Sequence, residues 1–467
     1  MGDPFTVMKH SKEHTPAQGT RNITTSKPLL LLIACICALA TPAFATTVSW
    51  DGGGDGVSWS DAANWSGNYV PTPTNDVVIS GGAGSFVVVS RSSTVRSLQC
   101  SKDLQLTGDF LTTLTVTEGS STISGELKFD SGATLAVDGP GAVLVASGNV
   151  SLTNAYLLAS GGGQLLVPSL ALTTNAAFTV KGGGTLTLPS LSSAYLASCG
   201  NRTWVASGAG SQLVLPALTN IIGGNCGYQY VRAEAGGHFV LTNLASTSGY
   251  VSMQADGAGS VGDLARLRTM TDCAWDTLLV NGAGQLLLPS LALTTNAAFT
   301  VSGGGTLTLP SLSSACLNSC GNRTWVASGG GSQLVLPALT NIIGGNCGYQ
   351  DVRAEAGGQF VLTNLTSASG YVSMQADGAG SVVDLSRLTT VTAVNGLPSF
   401  TAQNGGTVWL LRLADARGVS VTLGANSTMK LSGVTNWDNG SLYVSGGSVC
   451  YQFNWRHKIC RTGIIMI

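Results

Sequence analysis

The chain has 467 residues, of which 10% are charged and 62 are glycine, and its formal net charge is −1. Such a length holds two or three ordinary domains or one long repeat array, and a charge so near zero excludes a general electrostatic pull toward nucleic acid or anionic lipid. The helix formers Glu and Lys are scarce beside Gly, Thr, Ser, Val and Leu, a balance that suits β-structure with many tight turns.

At the N-terminus, Lys27 precedes the apolar run Pro28 to Ala40, and Ala43 and Ala45 follow at small-residue cleavage spacing. Residues 1–45 therefore read as a secretory signal peptide, too short in its apolar part for an ordinary transmembrane helix. A lipoprotein box ending at Cys35 is the lesser alternative, because the apolar stretch continues past it. No later segment has the length and hydropathy of a membrane-spanning helix. The expected location is extracellular or on a bacterial cell surface.

Residues 46–76 are rich in Trp and Gly. Asp51, Asp55 and Asp61 suggest a calcium loop, yet Gly53 and Ala62 stand where such a loop needs its second ligand and its bidentate acid. The preferred reading is a cap. Trp50, Trp59 and Trp65 have the bulk to cover the open end of a repeat array.

Residues 77–448 repeat. "GQLLVPSLALTTNAAFTV" begins at Gly163 and returns almost unchanged at Gly284, and the offset of 121 residues persists downstream. Tandem copies thus occupy 163–283 and 284–404. Within each copy a shorter unit ends in L-P-x-L, and the spacing of its proline slot runs from 21 to 27 residues. Each unit reads as strand, glycine turn, strand, loop, with period-two alternation and no 10-residue amphipathic helix. A unit this short cannot bury its own apolar face, and stacking on its neighbours solves the problem. The expected fold is all-β, a right-handed parallel β-helix with coils of 21–27 residues. Leucine-rich repeats share the period, but their consensus is absent. The tail 449–467 departs in composition; it reads as a capping strand or, preferred, as a truncated or frame-shifted end.

Cys199 and Cys226 each lie 10 residues past a proline slot, as do Cys320 and Cys347 in the second copy. Equal phase in adjacent coils stacks each pair within disulfide reach and predicts two coil-to-coil staples. With no C-x-x-C pair and only four histidines, a zinc site is not expected, and no other cofactor is called for.

Arg232 and Glu234 share one strand face, and Arg353 and Glu355 repeat them, forming a candidate polar surface strip. Aligned on the proline slot, Glu234 and Asp256 fall one residue out of phase, so no ladder of acids is expected. His238 becomes Gln359 in the second copy, which excludes a repeated histidine site. No catalytic constellation emerges.

A signal peptide followed by "WDGGGDGVSWSDAANWSG" and by "GGGTLTLPSL" and "GSQLVLPALTNI" repeats resembles bacterial surface and autotransporter-type passenger proteins. The resemblance implies an exported, non-enzymatic, structural or adhesive protein with glycans or cell-surface components as partners. A C-terminal membrane barrel of that family is not evident. The alternative is a carbohydrate-active β-helix enzyme, a polysaccharide lyase or glycoside hydrolase.

Overall fold

A computed structural model describes residues 45–81, 85–107, 111–271, 277–345, 347–393 and 396–445, and the backbone of Gly463–Met466. Residues 1–44, where a signal peptide is expected, with Cys35, and Cys273, Cys450 and Cys460 lie outside the described residues. The chain is a β-solenoid of about 15 stacked coils of about 23 residues, all strands in the stack being parallel.

One coil shows how the sequence closes. Gln229–Glu234 forms a long strand with Gln229, Val231 and Ala233 buried. Ala235 and Gly236 turn the chain at positive φ. His238–Val240 follows with Phe239 inward. The chain turns again between Leu241 and Leu244, which are both fully buried. Ser246–Ser248 makes the third side. The next long strand, Val251–Asp256, then lies directly on the first. In the coils that carry it, L-P-x-L is this second corner: two leucines fill the core and proline ends the strand without a missing ladder bond.

The three sides stack into three ladders. The wide face runs from Ser93–Val95 to Ser441–Val444, and Gly463–Met466 adds to its last strand antiparallel. The second face runs from Thr46–Ser49 to Gln285–Leu287, breaks, and resumes from Thr306–Thr308 to Thr428–Lys430. The third face holds ladders from Phe86–Val89 to Val150–Ser151 and from Leu172–Thr174 to Thr390–Thr392. Inward side chains form one continuous core, and Trp204 on Phe178 and Trp325 on Phe299 stack across coils at 4.9 Å and 5.0 Å.

The glycine corner varies in length, and this sets the register. Glu234 is four residues from the next strand, whereas Asp256 is five from Val261. The longer corner carries a buried serine. Ser211 Oγ accepts from Gly183 N in the preceding coil and donates to Ser207 O; Ser332 and Ser381 repeat the arrangement.

The segment 46–76 supplies the first strand and then folds back. Trp59 N donates to Val88 O, and Val88 N to Val57 O, so the turn occupies the outer edge of Phe86–Val89. Among the described residues, no helix is long and apolar enough to cross a membrane.

Because Trp204 and Trp325 sit in separate copies, Trp204→Ala and Trp325→Ala should each destabilise by about 3–5 kcal/mol, with effects that add to within about 0.5 kcal/mol. Denaturant unfolding of the single and double variants checks this.

Candidate functional site

The coils that carry the disulfides have long corners between the third and the wide face. Six residues separate Ser193–Tyr195 from Arg202–Ser207, and six separate Asn220–Ile222 from Gln229–Glu234. The next coil, Ser246–Ser248 to Val251, needs only two. The two long loops therefore stand proud of the stack, one on the other. Cys199–Cys226 pins them at a Cα separation of 4.7 Å, and Cys320–Cys347 does so at 4.6 Å. These are the pairings that phase predicts. Gly227 lies so close to the Cys199 and Gly200 backbone that a Cβ there would collide.

Polar side chains hold the loop from within. Asn175 Oδ1 accepts from Ala197 N and Ser198 N at 2.7 Å and 3.1 Å. Arg202 Nε donates to Asn175 O at 2.7 Å, and Asn201 Oδ1 accepts from Tyr228 N at 2.9 Å. The second copy keeps this frame with Asn296, Arg323 and Asn322.

The pinned corner opens onto the wide face beside an aromatic cluster. Tyr228 stacks on Tyr230 at 5.3 Å and meets Tyr250 at 5.3 Å. The Arg232 guanidinium lies 4.6 Å from the Tyr230 ring centroid and 3.7 Å from Glu234. Arg232 and Glu234 face outward, as the alternation predicts, and Val231 and Ala233 are buried. In the second copy Asp351 replaces Tyr230. It is largely buried and 3.4 Å from Arg353. Burial pushes its carboxyl above the usual range, against the opposing pull of Arg353. Tyr349 and Tyr371 meet edge-on at 4.9 Å.

The expectation of no acid ladder is corrected. Glu234 is the direct register partner of Asp256, and Glu355 of Asp377. Counting back from the proline slot missed these pairs because it crosses the glycine corner, which differs by one residue between the coils. Each pair is continued by an amide. Asn281 Nδ2 donates to Asp256 Oδ1 at 2.7 Å, and Gln403 Nε2 to Asp377 Oδ2 at 2.8 Å. Tyr228, Tyr230 and Tyr250 were also missed. Their convergence depends on the corner length, and only an aligned register would bring Tyr250 beside them.

At the N-terminus, Asp51, Asp55 and Asp61 turn their oxygens to the main chain. Asp55 Oδ1 accepts from Val57 N, Ser58 N and Asn64 Nδ2. The Ser58 hydroxyl, these N–H groups and the Asn64 amide hold its carboxyl well below the usual carboxylate range. Asp61 accepts from Ala63 N and Asp55 N, and Asp51 from Gly53 N. Asn64, fully buried, bonds Gly54 N, Gly56 N, Asp55 and Ser58 O. These carboxylates order a turn. Trp50, Trp59 and Trp65 are buried and pack edge-to-face at 4.8–5.0 Å, so their rings offer no platform to a sugar.

Comparison with protein-family models, with curated proteins and with solved structures returned no match. The β-solenoid rests on the chain's own geometry. The two disulfides fit an oxidising, exported environment.

Peptide mapping of the unreduced, denatured chain should find Cys199, Cys226, Cys320 and Cys347 unreactive toward alkylation. Four reactive thiols at these positions would contradict the staples.

Proposed function

We propose that the chain is an exported, non-enzymatic repeat protein of the extracellular space or bacterial surface. In this reading its wide face holds glycans or other cell-surface components by weak, repeated contacts. The observation that carries it is a strip on the wide face: the rings of Tyr228, Tyr230 and Tyr250 beside the disulfide-pinned corner, continued along the strands by the hydrogen-bonding groups of Arg232, Glu234 and Asp256. A sugar presents an apolar ring face and a rim of hydroxyls, which such a mixed surface matches. The frame recurs 121 residues on, five coils away, or about 24 Å at about 4.8 Å per coil. Two weak sites at fixed spacing gain avidity on a repetitive ligand. The resemblance of the repeats to autotransporter-type passengers points the same way.

One observation favours a second reading. Neighbouring coils bring Glu234 and Asp256 to about 5 Å, a spacing used by retaining glycosidases. Against it, neither pair lines the cleft of about 770 Å³ beside Gln285–Leu287 and Thr306–Thr308, and an Asn281 amide hydrogen bond occupies Asp256.

Screening the purified chain against a polysaccharide panel, for binding and for new reducing ends, separates the two. The first reading predicts binding that weakens at least tenfold in Tyr230→Ala/Arg232→Ala, with no new reducing ends. Reducing ends that vanish in Glu234→Gln and Asp256→Asn would establish the enzyme instead.

A further inference from the structure

The second face breaks between Gln285–Leu287 and Thr306–Thr308, and the first copy does not break at the equivalent place. There Gln164–Leu166 pairs with Thr185–Thr187. Thr185 N donates to Gly163 O at 2.9 Å and Val167 N to Thr187 O at 3.0 Å. Their counterparts, Thr306 N with Gly284 O and Leu288 N with Thr308 O, form no such bonds among the described residues. The strands that should be joined are almost identical in the two copies, so the cause lies next door.

It lies at Gly262. This inward position carries Leu213 and Phe239 in preceding coils and Val383 in the second copy, all fully buried. A Cβ on Gly262 would collide with the Phe239 ring and with Leu286 Cδ2, because both neighbours have moved into the space. Leu286 Cδ2 reaches into the space at Gly262 in the preceding coil. Where Val383 fills the position, the ladder runs on through Phe360, Val383 and Val408.

The break opens a cleft of about 770 Å³ lined by Asp263, Gln285, Leu287, Pro289, Thr306 and Thr308 among others. Its two edges still approach within 8 Å, Cα to Cα. An inserted β-strand would need about 9.6 Å, two inter-strand spacings. A single oxygen between each N–H and C=O would widen the regular spacing of about 4.8 Å by about 2.8 Å, which stays within that 8 Å limit.

We propose that this slot binds a neutral carbohydrate, whose hydroxyls bridge Thr306 N–H to Gly284 O and Leu288 N–H to Thr308 O. A hydroxyl accepts from one edge and donates to the other, as the unpaired groups require. The sugar ring then lies on Leu287 and Pro289. Asp263, the one charged group in the lining, disfavours an acidic sugar. The slot occupies a different face from the tyrosine cluster and stands separately from it.

The test is saturation-transfer NMR with maltoheptaose, cellohexaose and laminarihexaose. It is run in the Tyr230→Ala/Arg232→Ala background, so that failure of the wide-face site cannot mask the slot. At least one probe should show transfer. Gly262→Val should push Leu286 back, slow amide exchange at Leu288 and Thr306, and weaken binding at least tenfold. Thr308→Trp should block the slot without touching an inward side chain, while Thr187→Trp, its equivalent in the first copy, should leave binding unchanged. No transfer from any probe, or binding that survives both Gly262→Val and Thr308→Trp, would overturn the proposal.

Discussion

Every coil must place its inward side chains directly over those of the coil before. The parallel ladders impose this, because their hydrogen bonds fix both the spacing and the register of adjacent strands. The core is a stack of thin layers, and each layer needs one good filler on each side. Leu, Val, Phe and Trp do this along most of the stack. Gly262 does not, and the structure answers at once. Phe239 and Leu286 converge on the space, and the next ladder step on that face is lost. The wide and third faces continue past this point, so a missing inward side chain is absorbed locally.

Outward positions and corners are free of that constraint, and they carry the variation that can specify a ligand. The two copies share the disulfide-pinned loops and the Asn–Arg frame beneath them. They differ where Tyr230 of one faces the same surroundings as Asp351 of the other. One corner therefore gathers three tyrosines, and the other two tyrosines and a buried aspartate, on scaffolds that are otherwise the same. Duplication followed by such substitution yields related sites of different chemistry at a fixed distance.

Much of this was legible in the residues. The 121-residue offset, the glycine turns and the L-P-x-L corner define a β-solenoid, and the phase of four cysteines gives both disulfides. The direction of Arg232 and Glu234 follows from alternation alone. The acid pairs did not follow, because the proline slot is a poor ruler across a corner of variable length. Ser211, and Ser260 whose Oγ accepts from Gly236 N and donates to Asp256 O, mark the longer corner, and reading them as a signature would have restored the phase. The tryptophans of the first turn were legible as bulk, and they are buried. That Asp55 and Asn64 organise the turn was not, since it depends on which N–H groups the backbone turns toward them. The slot was least legible of all, because it arises from one absent side chain in the coil before.

The central claim is the register that stacks Glu234 on Asp256, since the acid pairs and the tyrosine cluster of the wide face are both read from it. Paired cysteines test it directly. Coil-to-coil spacing of about 4.8 Å falls within disulfide reach, so Glu234→Cys/Asp256→Cys should oxidise to a crosslink identifiable by peptide mapping, while Glu234→Cys/Gly257→Cys should not. Crosslinking of the Gly257 pair in place of the Asp256 pair would mean that proline-slot phase sets the stack, and would contradict the structure described.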